Sequence, residues 1–433
     1  MSKSARLLGY RELMPIFAKN FAMRKLVLYT LLAATTAAAL NGQPDPVMQS
    51  LKTDLVYLSS DYLGGRETGT EHEQTAADYL ANRFREIGLK PAGENGTWYQ
   101  AFDFNYNTNP HAQGGEPRTG HNVIGYLDNN AERTVIIGAH FDHLGMGKFS
   151  SLYTGEPAIH NGADDNASGV AAMIRIAAYL AQGKAKGNNY LFIGFSGEEL
   201  GLIGSKYFTN HPTIDLAKAN YMINMDMVGR LKEEKVLAIN GAGTSPAWKP
   251  VLDKISVDGI SAKTSDSGVG PSDHTSFYLK DIPVLHFFTG QHGEYHKPAD
   301  DAALINFPGL LSVSNYIIAV IEQLDKAGKL EFTKTKDEEE EGGKRASRFK
   351  VTLGVMPDYV GQVEGMRVDA VTEGKPAAKA GMKSGDVIIK IGDTPVKDIY
   401  GYMEGLGKYN PGDKTKVVVK RGSEEMTFDV VFD

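Results

Sequence analysis

Residues 134–143 read TVIIGAHFDH, an apolar run that passes directly into two histidines and an aspartate. A near-continuous apolar run is typical of a central strand that is buried on both faces of a parallel-rich α/β sheet. In open α/β sheets, ligands bind in the crevice outside the carboxyl ends of the strands. This stretch therefore predicts an α/β fold with a mixed, largely parallel central sheet flanked by helices, and a polar site at the strand end.

The same arrangement recurs along the chain. Three more apolar runs precede polar residues: Tyr190 to Phe195 before Ser196–Glu199, Tyr221 to Met225 before Asp226, and Val284 to Phe288 before Glu294–Pro298. The cluster GADDNASG at residues 162–169 opens the helix predicted over Ala167 to Ala181. Apolar spacing also predicts helices over Met48 to Tyr62, Glu71 to Gly88 and Phe307 to Leu324, and strands at Asn122 to Leu127 and Thr134 to Ala139.

Taken singly, each polar cluster has an ordinary explanation. The pair Glu198-Glu199 would be favoured at a helix N-terminus, and Asp164-Asp165 could cap a helix. Taken together, histidines and carboxylates at several equivalent strand ends indicate one site. Two histidines with three carboxylates form a nitrogen and oxygen ligand set suited to Zn²⁺, with Mn²⁺ and Co²⁺ as alternatives. Because Glu198 and Glu199 are neighbours that project differently, a sensible division of roles makes one a ligand and the other a base.

The composition limits the chemistry that this site can use. The 433 residues include no cysteine, which excludes disulfides, thiolate metal sites, cysteine nucleophiles and lipid attachment at a cysteine. A metal site must therefore use His, Asp and Glu. The formal net charge of −7 is not that of a general nucleic-acid binder, so no nucleic-acid partner is expected. A mean hydropathy of −0.28 argues against several membrane spans.

The first 42 residues have the features of a leader and signal peptide. Met23-Arg24-Lys25 precedes the uncharged apolar run Leu26 to Leu40 and then Gly42, which is the pattern of a secretory signal. The run is shorter than the stretch of about 20 apolar residues that a transmembrane helix needs. An uncleaved membrane anchor is the alternative. We therefore expect an exported protein, periplasmic or extracellular, without stable membrane insertion after cleavage.

Changes in composition divide the rest of the chain. Residues 46–330 alternate strand-like and helix-like segments and form one large domain. Residues 331–348 include the acidic run Glu338 to Glu341 and cannot bury apolar area, so they are predicted to form a charged, solvated linker. Residues 349–433 combine Val and Ile strands with Gly, Pro and Asp turns, which predicts a compact, β-rich second domain.

Five separated motifs in the large domain resemble metallopeptidase family twenty-eight, which includes the secreted bacterial leucine-type two-zinc aminopeptidases. The motifs are AHFD at residues 139–142, GADDNASG at 162–169, GEELGLIGS at 197–205, NMDMVG at 224–229 and YHKP at 295–298. The resemblance covers about residues 48–325 in the family's motif order. It implies the zinc aminopeptidase fold, two Zn²⁺ ions per chain, and hydrolysis of N-terminal residues from peptide substrates.

The resemblance also implies roles for individual residues. It implies five metal ligands: His140 and Asp226 on one zinc, Glu199 and His296 on the other, and Asp165 as the carboxylate that bridges both. Glu198 corresponds to the general base that accepts a proton from the attacking water. Asp142 corresponds to a carboxylate that orients His140 through its second ring nitrogen. Tyr295 occupies the position of a group that stabilises the tetrahedral oxyanion.

Other polar residues near these motifs are expected to have supporting roles. The stretch SDHTSF at residues 272–277 is interpreted as pocket wall or as support for the ligands. The peptide bond between Asp165 and Asn166 corresponds to one that is cis in relatives. Four histidines are expected to be structural or peripheral: His143, His160, His286 and His292.

The second domain resembles a PDZ domain. VTLGV at residues 351–355 resembles its carboxylate-binding loop, and residues 376–392 resemble the pattern in PDZ domains of bacterial envelope proteases. PDZ domains add a peptide strand to a sheet edge and hold its C-terminal carboxylate on backbone N–H groups. A C-terminal peptide ligand is therefore one expected partner. The alternative is that this domain only packs against the catalytic domain or another subunit.

The sequence thus predicts an exported, zinc-dependent metallo-aminopeptidase with a C-terminal PDZ domain. Two alternatives stay open. One is a related enzyme with the same ligands, either a glutaminyl cyclase or a carboxypeptidase. The other is a metal-bearing peptide-binding protein without activity.

Overall fold

A computed structural model of the chain describes residues 45–107, 115–335, 351–357, 364–371, 374–397 and 399–432. The predicted leader at residues 1–42 lies outside the described residues, as does the acidic run Glu338 to Glu341.

A mixed sheet forms the centre of the first domain, and nine of its strands lie within the described residues. In spatial order the sheet runs β1-β3-β5-β4-β6-β9-β7-β8, with β2 also paired to β3. Neighbours among β5, β4, β6 and β9 are parallel, whereas β3 and β7 join this centre antiparallel. The strands are β1 (Lys90–Pro91), β2 (Tyr99–Tyr106), β3 (Glu116–Leu127), β4 (Thr134–His140), β5 (Asn189–Phe195), β6 (Ala219–Met225), β7 (Val236–Asn240), β8 (Ser261–Thr264) and β9 (Val284–Phe288).

Helices cover both faces of this sheet, so the predicted fold class is confirmed. They are α1 (Pro46–Leu58), α2 (Glu71–Ile87), α3 (Gly169–Leu180), α4 (Ile203–Asn210), α5 (Trp248–Leu252), α6 (His274–Tyr278) and α7 (Phe307–Leu324). The larger core packs α1, α2, α3 and α7 on one face. A smaller core packs α4 and α6 on the other face, through Phe208, Phe277 and Tyr278.

The two-residue period of the strands decides what each face carries. In β4, Val135, Ile137 and Ala139 belong to the larger core, while Ile136 belongs to the smaller one. Because alternate side chains point to opposite faces, His140 at the end of β4 shares the face of Ile136. The predicted metal site therefore lies on the face of the sheet that carries the smaller core.

Within the described residues, one helix, α7, is long and apolar enough to cross a membrane by length and composition alone. Its Val313, Ile317 and Ile321 are completely buried in the larger core. We therefore regard α7 as a core helix of the first domain.

Residues 331–335, which the sequence assigned to the linker, run along the first domain. Phe332 packs into the smaller core, with its ring 5.5 Å from that of Tyr278. The Thr333 N–H donates to the Thr244 carbonyl at 2.8 Å, and the Thr335 N–H donates to the Tyr278 hydroxyl at 2.9 Å. Phe332 supplies apolar surface that the charged composition of the segment concealed.

A second, wholly antiparallel sheet forms the predicted β-rich domain. The strands described are β10 (Val355–Pro357), β11 (Met366–Val371), β12 (Val387–Ile391), β13 (Thr394–Pro395), β14 (Lys414–Arg421) and β15 (Glu424–Val431). They run β10-β11-β12-β14-β15, with β13 beside β12. The helices α8 (Pro376–Ala380) and α9 (Ile399–Leu406) accompany them, around a core that includes Leu353, Ile388 and Val417.

Candidate metal centre

Two predicted ligands meet because their strands are parallel neighbours. Gly138 of β4 pairs with Asn224 of β6, and His140 and Asp226 each lie two residues further along on the same face. Nε2 of His140 lies 3.3 Å from Oδ1 of Asp226. The parallel strand ends therefore bring His140 and Asp226 together. The sequence predicted this from their positions directly after two apolar strands.

Asp165 lies between the two predicted histidine ligands. Its Oδ1 is 3.4 Å from Nε2 of His140, and its Oδ2 is 3.3 Å from Nε2 of His296. The bond between Asp165 and Asn166 is cis. One carboxylate therefore directs one oxygen to each half of the site.

The second half of the site contains His296 and Glu199. Nε2 of His296 lies 3.1 Å from Oε2 of Glu199. The other ring nitrogen of His296, Nδ1, donates a hydrogen bond to the Ser150 carbonyl at 2.8 Å. Because Nδ1 is committed to this carbonyl, Nε2 is the ring nitrogen that faces the site and could bind a metal ion.

His143, which the sequence placed at the periphery, lies within this second half. Its Nδ1 is 2.7 Å from Oε1 of Glu199, and 4.0 Å from Oδ2 of Asp165. His143, Asp165 and Glu199 also form a group whose ligand atoms are close enough together to hold a metal ion. His143 follows the end of β4 by three residues, so its closeness to the strand end was the only signal in the sequence, and it did not fix the contact with Glu199.

Asp142 is completely buried beside His140. Its Oδ1 is 3.6 Å from Nδ1 of His140 and accepts a hydrogen bond from the Glu198 N–H at 3.2 Å. Its Oδ2 accepts a hydrogen bond from the Thr68 hydroxyl at 2.9 Å. The Asp142 carbonyl also lies 3.3 Å from Nδ1 of His140. Asp142 therefore connects the His140 ring to the start of the Glu198-Glu199 turn.

The donor set fits zinc. Zn²⁺ binds histidine nitrogen and carboxylate oxygen at about 2.0–2.2 Å, so two ligand atoms of a tetrahedral site lie about 3.3 Å apart. The distances from Nε2 of His140 and Nε2 of His296 to the nearby carboxylate oxygens of the site measure 3.1–3.4 Å. Converging carboxylates repel one another unless a cation lies between them, so this arrangement suits two divalent ions that share Asp165.

Charge and burial set the protonation of these groups. Burial alone would lower the pKa of His140, but the carboxylates of Asp226 and Glu198 outweigh it and raise this pKa well above its ordinary value. Burial alone would raise the pKa of Asp165, but hydrogen bonds with His140 and His296 hold it well below its ordinary value. The site therefore favours charged carboxylates beside its histidines.

A cavity of about 110 Å³ adjoins the predicted ligands. Glu198, Tyr295 and Ser272 line it, beside Asp165, Glu199 and Asp226. Tyr295 stacks on the His296 ring, with centroids 3.9 Å apart. His286 also lines the cavity, whereas the sequence placed it at the periphery.

The remaining predicted supporting residues lie behind the site. Asp273 and His274, from the SDHTSF stretch, are completely buried and do not line the cavity. Nε2 of His160 lies 2.7 Å from the Ser151 hydroxyl, and Nε2 of His292 lies 3.3 Å from Oδ2 of Asp164. These residues support loops around the site.

Comparison with known proteins finds relatives of similar sequence. The leupeptin-inactivating enzyme 1 of Streptomyces exfoliatus is 27% identical over 278 residues, which cover 63% of this chain. The chain spans 56% of the length of that curated relative.

Two solved structures share the fold. A zinc aminopeptidase from Bacillus subtilis matches with a TM-score of 0.50 at 19% identity, over 66% of this chain and 98% of that one. A glutaminyl cyclase from Porphyromonas gingivalis matches with a TM-score of 0.52 at 20% identity, over 64% of this chain and 98% of that one.

Family models assign both domains. Residues 122–321 match the model of peptidase family M28, and residues 332–431 match that of the PDZ domain. The first match contains all the predicted site residues, and the second contains the antiparallel sheet. Residues 122–321 therefore resemble peptidase family M28, and the region that follows them resembles a PDZ domain.

Proposed function

We propose that the protein is an exported metallo-aminopeptidase that uses two zinc ions. The observation that carries this proposal is the pair of ligand groups that share Asp165: His140 with Asp226, and His296 with Glu199. Zinc ions bound there would polarise the scissile carbonyl and make water a better nucleophile. Export rests on the charged and apolar pattern of residues 23–42.

Glu198 is the group best placed to move protons. It lines the cavity beside Asp226, and burial raises its pKa well above the ordinary value, with Asp226 and Glu199 adding to the effect. A carboxylate with a raised pKa is a stronger base, so Glu198 can accept a proton from water and deliver it to the leaving amine. Tyr295 can donate its hydroxyl proton in a hydrogen bond to the developing oxyanion.

The position and charge of the cavity favour an exopeptidase that acts at a free N-terminus. The cavity lies directly beside the predicted ligands Asp165, Glu199 and Asp226, so a residue bound in it lies next to the reacting bond. The carboxylates of Glu198 and Asp226 at its metal end offer partners for a free α-ammonium group. We therefore assign the cavity to the N-terminal residue of the substrate.

A set of substrates with different termini tests the proposal. The zinc-loaded protein should release p-nitroaniline from free aminoacyl-p-nitroanilides, and N-acetylation of the same compounds should abolish release. Removal of C-terminal residues from N-blocked peptides would instead indicate a carboxypeptidase. Conversion of N-terminal glutamine to pyroglutamate without peptide cleavage would indicate a glutaminyl cyclase. Absence of all three activities in the zinc-loaded protein would contradict the proposal.

The role proposed for the PDZ domain is to bind a C-terminal peptide. Its support is the match of residues 332–431 to the PDZ model, together with the VTLGV segment at residues 351–355. A domain that only packs against a neighbour would bind no C-terminal peptide, so titration with free-acid and C-terminally amidated peptides separates the two roles.

A further inference from the structure

We propose that the cavity beside the metal ligands selects an N-terminal residue with a carboxamide side chain, glutamine or asparagine. This proposal rests on the aminopeptidase function and names the substrate class of that same site. Its evidence is a row of polar side chains on three neighbouring strands. Two of them, His286 and Asn240, line the cavity together with Ser272 and Gln291.

The row follows from the register of the sheet. His286 of β9 pairs with Asn224 of β6 on one side and with Asn240 of β7 on the other. Residues paired across neighbouring strands face the same side of a sheet, and Asn224 shares its face with Asp226 two residues later. Asn224, His286 and Asn240 therefore form a row across the face of the sheet that carries Asp226. On β6 this row lies two residues before Asp226.

Apolar residues precede this row along two of its strands. Met222 and Val284, two residues before Asn224 and His286 on the same face, belong to the smaller core. Buried polar groups weaken a core unless each finds a hydrogen-bond partner. Two members of the row line the cavity, namely His286 and Asn240, so a bound side chain can supply partners that the protein does not.

His286 offers a donor to the cavity. The Asn224 amide N–H donates a hydrogen bond to Nδ1 of His286 at 3.2 Å. The proton of the neutral His286 ring therefore belongs on Nε2. Burial lowers the pKa of His286 to about 4, which keeps the ring neutral. The His286 ring also stacks on His274, with centroids 4.4 Å apart, and this contact fixes its orientation.

Asn240, Ser272 and Gln291 add polar groups to the lining beside His286. Oδ1 of Asn240 accepts a hydrogen bond from the Ser265 hydroxyl at 2.8 Å, which leaves the Asn240 amide N–H groups as donors. Oγ of Ser272 accepts from the Asn224 amide at 2.8 Å, which leaves its O–H as a donor. Oε1 of Gln291 is buried and has no hydrogen-bond partner among the described residues.

This inventory matches a carboxamide. Its oxygen accepts from donors of the kind that His286, Asn240 and Ser272 present, and its NH₂ group donates to Oε1 of Gln291. A carboxylate would leave that Gln291 oxygen without a donor, and the described lining residues include no lysine or arginine to offset its charge. An alkyl side chain would leave all of these groups without partners.

Near-isosteric substrates test this selection. Glutamine, glutamate and methionine have side chains of similar length, and asparagine, aspartate and leucine share a branched outline. We expect kcat/KM of the zinc-loaded protein for Gln- and Asn-p-nitroanilide to exceed that for the Met and Leu compounds by about tenfold or more. Hydrolysis of Leu, Met, Glu or Asp compounds at an equal or higher rate would overturn the proposal.

A binding measurement separates failure of this proposal from failure of the proposed function. Calorimetric titration of the zinc-loaded protein with free L-glutamine, L-methionine and L-glutamate needs no turnover. Tighter binding of glutamine supports the cavity assignment even if no peptide is cleaved, in which case the aminopeptidase function alone fails. Equal or tighter binding of methionine or glutamate, or no binding of any of them, overturns the cavity assignment.

Two variants test the named residues. His286→Phe keeps an aromatic ring over His274, and Asn240→Leu changes a half-buried residue at a strand end. Each should reduce the preference for Gln over Met by about tenfold, with unchanged zinc content. Asn210→Leu, the same substitution at an exposed position, should leave the preference unchanged. An unaltered preference in a folded, zinc-loaded Asn240→Leu protein would overturn the assignment.

Discussion

At the scale of single residues, the adjacent carboxylates Glu198 and Glu199 have opposite properties. Burial raises the pKa of Glu198 well above its ordinary value, with Asp226 and Glu199 adding to the effect. Burial would also raise the pKa of Glu199, but charge from His296 and a hydrogen bond with His143 lower it to about 2. The environments therefore separate a group that can accept a proton from one that remains charged.

The two glutamates form a matched pair for mutation. Glu198→Gln should lower kcat by about 10²–10⁴-fold, because proton transfer by a positioned side chain contributes that much. Zinc content, measured by atomic absorption, should stay at the value of the unaltered protein. Glu199→Gln should instead lower zinc content, because it removes a charged ligand. Loss of zinc in Glu198→Gln, or its full activity, would contradict the proposed roles.

The sequence located some of these residues better than others. A strand end fixes the position of a residue, so His140 and Asp226 could be predicted to meet from the order of strands and their polar ends. The contact of His143 with Glu199 depends on the path of the loop after β4, which no periodicity describes. His286 lines the cavity because of its register with Asn224 and Asn240, and register cannot be read from one strand.

At the scale of elements, the turn before α3 is held in place by Asp300. Both carboxylate oxygens of Asp300 accept from the Asp164 N–H, at 3.0 and 3.1 Å, and Oδ2 also accepts from the Asp165 N–H at 3.0 Å. The Asp300 carbonyl accepts from the Ala163 N–H at 3.0 Å. The loop after His296 therefore fixes the turn that carries the shared carboxylate.

Asp300→Ala should weaken zinc binding without removing a ligand. The substitution leaves two buried N–H groups unpaired and frees the Asp165 backbone, and loss of such a supporting partner typically costs about 10–100-fold in metal affinity. Competition with a chelator measures the change in Kd. Asp301→Ala, at the exposed neighbouring residue, is the control. Equal zinc affinity in the Asp300 and Asp301 variants would show that Asp300 does not position Asp165.

Some strands can be predicted from their own sequence more accurately than others. The central strands β4, β5, β6 and β9 are buried on both faces, so their apolar runs were predicted to within a few residues. The strand β8 is almost entirely exposed at the sheet edge, and β2 alternates buried and exposed residues beside β3. Such strands exist because of their neighbours, and their own composition does not distinguish them from loops.

At the scale of the whole molecule, the two domains have separate hydrophobic cores. Leu330 belongs to the larger core of the first domain and Phe332 packs into its smaller core, while the PDZ core is built from other residues, beginning with Val351. The PDZ family match nevertheless begins at residue 332. The contacts of residues 332–335 therefore place the structural end of the first domain inside that match.

Two shortened proteins test where the first domain ends. A protein ending at Thr335 should keep its melting temperature and its activity on aminoacyl-p-nitroanilides, because it retains Phe332 and the hydrogen bonds of Thr333 and Thr335. A protein ending at Leu330 loses them, at a cost of about 2–3 kcal/mol, and should melt several degrees lower. Scanning calorimetry and the nitroanilide assay measure both effects. Equal melting temperatures would place the boundary at Leu330, whereas loss of activity in both proteins would show that hydrolysis of even a single-residue substrate requires the PDZ domain.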